Sequence, residues 1–322
     1  MKQILVLHTG GTISMAKDAG GGVILSDENP LMNQNELFQG EVELIVEEIF
    51  NLPSPHMTLE RMLELKERIM LGIEEGIDGV VITHGTDTLE ETAYFLELTV
   101  PKKIAVVITG AMRSSNEIGS DGLYNFISAV WTAASDESKN KGVLVVMNDE
   151  IHMAKYVTKT HTTNVATFRT PTFGPIGMLT KGKTFFTKEV MPEEVCDIKS
   201  VAGEVHLIKA YAGMDGQIFQ LVNTESLSGI VIESLGAGNL PPAVLKELQV
   251  ILDRGIPIVL VSRCSNGIAE DIYAYEGGGV ELKKRGVIFA RGLNGQKARI
   301  RLMVGLNSGK NDGCLKLFLA GE

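Results

Sequence analysis

The chain has 322 residues, 44% of them hydrophobic and 22% charged, with a formal net charge of −10. This apolar content excludes disorder for the chain as a whole, and the length suits two domains better than one. The acidic balance argues against a phosphate-backbone partner, and no run approaches the roughly 18 apolar residues of a bilayer span, so neither nucleic acid nor membrane is expected as a partner.

The elements begin at once with a strand, Ile4 to Leu7. This run is too short for a secretory signal, which needs about seven or more apolar residues and a cleavage site. Glycines at Gly20, Gly21 and Gly22 suit a mobile lid. Thr58 then caps a helix from Leu59 to Glu74, in which Met62, Leu65, Ile69 and Ile73 recur at helical spacing. A second strand is expected at Gly79–Thr83. A helix follows from Asp87 through Leu98, with Asp87 and Glu90 near its positive end. Next come a strand at Ile104–Ile108, a helix at Asp121–Ala134 and a strand at Val143–Met147. A polar, aperiodic stretch over residues 188–204 reads as a linker between an N-terminal catalytic domain, 1–187, and a C-terminal domain, 205–322. The second part repeats the pattern, with strands at Gly229–Ile232 and Ile256–Val261 and a helix at Pro242–Asp253. Continuous apolar strands alternating with helices define an α/β protein: a large domain with a mostly parallel sheet flanked by helices, and a smaller α/β domain. Sites in such sheets lie beyond the carboxyl ends of the strands.

Three strand ends carry glycine beside hydroxyls: His8-Thr9-Gly10-Gly11-Thr12, His84-Gly85-Thr86-Asp87-Thr88 and Thr109-Gly110-Ala111-Met112-Arg113. Paired glycines let the chain turn sharply and leave N–H groups exposed. A threonine hydroxyl becomes a nucleophile only with a neighbouring base and an oxyanion site. The candidate bases are Asp87, the histidines or a lysine of lowered pKa, and Lys159, in Val157-Thr158-Lys159-Thr160, could be held near Asp87 and share a proton with it. Singly, these residues read as a turn, an N-cap and a surface charge; their succession at strand ends points to chemistry.

Thr9-Gly10-Gly11-Thr12-Ile13 and His84-Gly85-Thr86-Asp87-Thr88-Leu89-Glu90 resemble the two signature motifs of the bacterial-type L-asparaginase/glutaminase family. Further matches are Ile108 to Arg113, Val157 to Thr160, Gly238-Asn239-Leu240 and Asn294 to Arg299, so the resemblance spans essentially the whole chain. It implies hydrolysis of L-asparagine to L-aspartate and ammonia. Thr12 matches the nucleophile that forms an acyl-enzyme. Thr86, Asp87 and Lys159 match a second, triad-like group. Backbone N–H groups near Gly11 and Thr86 would bind the oxyanion. Asp87 would hold the substrate α-amino group, Ser54 and backbone amides the α-carboxylate, and the Ala111 backbone the departing amide. Asn239 matches a residue reaching the site from a neighbouring subunit, which implies a homodimer or homotetramer. Two departures stand out. Residues 13–50 contain no tyrosine to close the lid, and Pro55-His56 follows Ser54 where many secreted members place glutamine. Glu281 lies near the position of a carboxylate offered by the neighbouring subunit.

Other signals are set aside. Gly177 to Thr184 fits a P-loop pattern, but Phe185-Phe186-Thr187 continues as a strand, so Lys181-Gly182 reads as a hairpin turn. Gly236-Ala237-Gly238 suggests a dinucleotide loop, but Pro241 and Pro242 stand around the required third glycine. The six histidines show no paired ligand spacing, so no metal and no cofactor are expected; His8 and His84 are expected to brace their turns. Three dispersed cysteines fit reduced thiols of a cytoplasmic protein, with Cys264 expected as a small buried residue. Trp131 is expected in the core. The rival readings are a dual asparaginase–glutaminase, a tRNA-dependent amidotransferase subunit, and an amino-acid sensor without turnover.

Overall fold

The computed structural model describes residues 1–18, 20, 22–25, 31, 34–38, 40–191 and 193–321. The chain divides into two compact units, Met1–Val195 and Cys196–Glu322. In the first, β1 (Lys2–Gly10) leads to a short antiparallel pair, β2 (Met15–Lys17) and β3 (Val23–Leu25), and then to β4 (Val42–Leu52). Next come α1 (Leu59–Glu75), β5 (Gly79–Thr83), α2 (Leu89–Thr99), β6 (Ala105–Thr109), α3 (Gly122–Ala134), β7 (Val143–Met147) and β8 (Glu150–Met153). Two minimal strands, β9 (Thr158–Lys159) and β10 (Phe168–Arg169), precede β11 (Gly177–Thr180) and β12 (Lys183–Phe186).

An eight-stranded sheet runs β12-β11-β8-β7-β6-β5-β1-β4. The pairings from β4 through β7 are parallel and those from β7 through β12 antiparallel. Among the described residues β9 and β10 pair only with each other, outside this sheet. The central strands are apolar on both sides because helices cover both faces. Phe126, Ala129, Val130 and Ala133 of α3 close over Ile4, Val6, Val81 and Val107. On the opposite side α1 comes so close that a Cβ added at Gly72 would lie 3.0 Å from Leu5 Cδ2. Thr58 caps α1 by accepting from Arg61 N, and Gly76, at φ 87°, ends it in the left-handed conformation that glycine favours.

The second unit has a four-stranded parallel sheet, β13-β14-β15-β16, made of Glu204–Lys209, Leu227–Ser234, Ile258–Ser262 and Ile288–Phe289. Its helices are α4 (Gln217–Val222), α5 (Leu245–Asp253), α6 (Gly279–Lys284), α7 (Gly295–Asn307) and α8 (Asp312–Ala320). Phe219, Leu245, Leu248 and Ile251 pack on Ile230, Ile232, Ile258 and Leu260. Leu302 of α7 lies against Gly229, where an added Cβ would approach its Cδ2 to 2.7 Å. Among the described residues, no helix is long and apolar enough to cross a membrane.

Several sequence expectations are corrected. α2 starts at Leu89 with Thr88 in the cap position, so Asp87 stands outside the helix. Residues 242–244 form a 3₁₀ turn ahead of α5 rather than its first turn. Cys264 is exposed, as is Cys314, and only Cys196 is buried. Trp131 sits at the edge of the core, its ring 5.6 Å from that of Phe38. Lys181 and Gly182, at φ 50° and 76°, form the hairpin turn between β11 and β12. Within the glycine-rich loop, the N–H groups of Gly20 and Gly22 donate to Asp18 Oδ1, while Gly21 lies outside the described residues.

Candidate active site

Glycine packing at the carboxyl ends of four neighbouring strands builds the site. Gly10 ends β1 and Gly11 follows it, at φ 94° and 84°, where a side chain is strained. A Cβ at Gly10 would lie 2.3 Å from Leu52 N, and one at Gly11 would lie 2.3 Å from Gly85 Cα. Gly85 in turn leaves no space beside Ser54, whose Cβ would be 2.7 Å from an added Cβ. At Gly110 the added atom would meet His84 O at 2.6 Å and Thr86 Cγ2 at 3.2 Å. The ends of β1, β4, β5 and β6 therefore meet backbone to backbone, and the hydroxyl residues beside these glycines are gathered with them. Half-buried Thr12 follows Gly11 directly and opens a short 3₁₀ turn, Thr12–Ser14.

Around Thr86 the polar groups are closely linked. Lys159 Nζ donates to Thr86 Oγ1 at 2.9 Å and to Asp87 Oδ1 at 2.7 Å. The Lys159 side chain is 17% exposed and that of Asp87 61%, so the amine is sheltered while the carboxylate faces solvent. Asp87 N donates to Ser54 Oγ at 3.2 Å, and Thr88 Oγ1 donates to Ser54 O at 2.8 Å. Asp87, Lys159, Thr160, His161 and Thr162 line an open cleft of about 320 Å³.

The Ala111 turn is tied down by groups that the motifs do not reveal. Met112 N and Arg113 N donate to the Asp121 carboxylate at 3.0–3.1 Å. Asn125 Nδ2 donates to Gly110 O at 3.0 Å. Ser115 donates through both N and Oγ to Met15 O, joining this turn to the one that carries Thr12. Asn125 left a faint trace in the sequence: an amide-bearing residue on the inward face of an apolar helix needs a partner there.

Two histidines brace the strand ends, as expected. His84 Nδ1 donates to Gly85 O at 2.8 Å, which leaves Nε2 to accept from Thr92 Oγ1 at 2.9 Å. His8 Nδ1 lies 2.7 Å from Thr83 Oγ1. Burial pushes both imidazoles down from 6.5 to about 4, so they are neutral near pH 7 and unsuited to act as cations. Among the described residues no cluster of His, Cys, Asp or Glu has the arrangement of a metal site.

Thus Gly11, Thr12, Ser54, Thr86, Asp87, Ala111 and Lys159 all belong to the first unit. Asn239 belongs to the second, in a turn closed by reciprocal backbone bonds with Leu235; its Oδ1 is buried without a hydrogen-bond partner. Glu281 is committed locally, its Oε1 to Arg285 at 2.6 Å and its Oε2 to Gly277 N at 2.8 Å.

A doubly covered α/β sheet with hydroxyls, an amine and a carboxylate gathered at its strand ends has the ingredients of a nucleophilic hydrolase. Comparison with known proteins narrows this class. The family described as "Asparaginase, N-terminal" matches residues 3–192, and "Glutaminase/Asparaginase C-terminal domain" matches residues 204–316. An L-asparaginase of Bacillus licheniformis is 35% identical over 311 residues, covering 96% of this chain and 97% of its own. A glutaminase-asparaginase of Pseudomonas fluorescens biotype A is 30% identical, covering 95% and 86%. The crystal structure of a probable cytoplasmic L-asparaginase from Campylobacter jejuni superposes with a TM-score of 0.86 at 34% identity, covering 99% of both chains. The chain belongs to the asparaginase family.

Proposed function

We propose that the protein hydrolyses the side-chain amide of L-asparagine to L-aspartate and ammonia, with Thr12 as nucleophile and Thr86, Asp87 and Lys159 as a proton-handling group. The observation that carries this reading is the Thr86–Lys159–Asp87 chain of hydrogen bonds beside the Gly11–Gly85 contact. In the first half-reaction Thr12 Oγ attacks the amide carbon. Its proton passes to the amide nitrogen, ammonia leaves and an ester remains. In the second half, water adds to the ester carbon, its proton returns to Thr12 Oγ, and aspartate is released. Lys159 Nζ supports these transfers through Thr86 Oγ1, while Asp87 balances the amine charge and accepts the substrate α-amino group. N–H groups beside Gly11 and Thr86 stabilise the oxyanion, where losing one donor typically costs about 2.7–4 kcal/mol of barrier. Ser54 and nearby amides receive the α-carboxylate, and the Ala111 backbone receives the departing amide.

Residues 1–187 act as the catalytic domain in this reading. Asn239 reaches the site of a second subunit in a homodimer or homotetramer. Ile268, Ile272, Tyr273 and Tyr275, exposed after β15, form the kind of apolar surface that a second copy covers. The three free cysteines suit the cytoplasm, the compartment ascribed to the Campylobacter jejuni relative. The test is ammonia release from L-asparagine and L-glutamine in chelator-treated buffer without nucleotide. Release from asparagine is expected, and none from either amide would overturn the proposal. The Pseudomonas fluorescens relative keeps a dual asparaginase–glutaminase as the second reading. A kcat/KM for glutamine within about tenfold of that for asparagine, or 1.4 kcal/mol of barrier, would favour it.

A further inference from the structure

Lys159 sits on β9, a two-residue strand that, among the described residues, pairs only with β10. Among the described residues no ladder of the main sheet includes it, whereas Thr86 and Asp87 lie between β5 and α2. A long, flexible amine cannot keep two hydrogen bonds in register unless its own backbone is anchored to the body that carries its partners. Upstream, Val157 N donates to Met153 O of β8, and one buried side chain ties the Thr158–Lys159 segment itself to α2. Glu90, in the first turn of α2, is 4% exposed although it bears a carboxylate. Its Oε1 accepts from Thr158 Oγ1 at 2.9 Å, and Lys159 N approaches the same oxygen at 3.4 Å. The segment 86–90 thus grips β9 at both levels: Thr86 and Asp87 take the lysine's amine, and Glu90 takes the backbone segment from which it springs. Burying a carboxylate is costly unless it is hydrogen-bonded, and a helix N-terminus offsets part of that cost.

We propose that Glu90 is a positioning residue that locks the Thr158–Lys159 segment onto α2, so that Lys159 Nζ is held in reach of Thr86 Oγ1 during turnover. Glu90 itself does not touch the substrate. The inference rests on the role assigned to Lys159 in the asparaginase reading, and the experiment keeps the two apart. First, the unsubstituted enzyme and Lys159→Ala are assayed for ammonia release from asparagine. If Lys159→Ala keeps its kcat, the reading of Lys159 fails, and the positioning role fails with it. If Lys159→Ala loses its kcat, the Lys159 reading stands, and the Glu90 variants decide the tie alone.

Glu90→Ala should lower kcat about 10- to 100-fold with KM changed by less than about threefold, the pattern of lost transition-state support. Glu90→Gln keeps an acceptor for Thr158 and should recover to within about threefold of the unsubstituted kcat. Thr158→Val removes the donor from the other side and should reproduce the loss, which covers the case in which Glu90→Ala fails to fold. Combined with Lys159→Ala, Glu90→Ala should cause no further loss, because both changes remove one unit. Additive losses in that double variant would overturn the proposal, as would a change confined to KM, an unaltered kcat in Thr158→Val, or a Glu90→Gln as impaired as Glu90→Ala.

Discussion

Gly11→Ala is the most informative single-atom perturbation of this site. Gly11 lies at φ 84°, ψ 176°, a region open essentially to glycine alone, so an alanine there carries about 1–3 kcal/mol of backbone strain. Its added carbon would also sit 2.3 Å from Gly85 Cα and 2.4 Å from Gly85 N. These are backbone atoms, so no side chain can swing aside, and relief requires the two turns to separate. Overpacking of this kind costs about 1–3 kcal/mol more, for a total of about 2–6 kcal/mol. For a unit of this size each kcal/mol lowers the melting temperature by about 2–4 °C, so a drop of roughly 5–20 °C is expected. The separation also moves Thr12 away from Thr86, so kcat for asparagine should fall at least about 10²-fold, as expected for a displacement of about 1 Å in a reacting group. Thermal melts and steady-state ammonia release on the same preparation read both effects. A variant that melts within about a degree of the parent and keeps its kcat would refute glycine contact as the builder of this site.

Thr12→Ala should keep its melting temperature and lose turnover by about 10³-fold or more, and near-normal activity would remove Thr12 as nucleophile. Lys159→Ala should lower kcat strongly, whereas a change confined to KM would reduce Lys159 to a binding role. His8 and His84 have folded values depressed to about 4 from 6.5, so the unfolded chain binds more protons between these limits. Their contribution, on the order of 3 kcal/mol each, is complete above pH 6.5 and is lost as pH falls toward 4. Urea melts should follow that slope, with His8→Asn flattening it; an identical slope in the variant would refute the assignment. Thr58→Ala, which removes the α1 cap, should cost about 1 kcal/mol in the same melts without altering kcat.

Strand positions were legible where burial is two-sided. Gly79–Thr83 and Val143–Met147 occur as their apolar runs indicated, because a central strand under helices on both faces must be continuously hydrophobic. β4 was not recognised: it lies at the edge of the sheet, and its glutamates at 43, 47 and 48 interrupt the apolar run. β9 and β10 are too short to carry any periodic signal, although they bear Lys159. The start of α2 lies at Leu89 rather than Asp87: aspartate is a favoured residue at a helix start, but here its carboxylate is drawn to Lys159 and Thr88 takes the cap position.

By itself the sequence determined the layering of the chain and the chemical kinds at the strand ends. Apolar periodicity and glycine–hydroxyl turns are local properties, and the two threonine motifs are read within a few residues. What the tertiary structure decided is proximity. Thr86 and Lys159 are 73 residues apart in the chain but 2.9 Å apart in space. Glu90 reads as an ordinary first-turn acid until β9 is laid against it. Gly11 and Gly85 each read as a turn glycine, and only parallel pairing of β1 with β5 makes them touch. Such contacts depend on how sheet register and crossovers bring distant loops to one edge, and no local pattern encodes that.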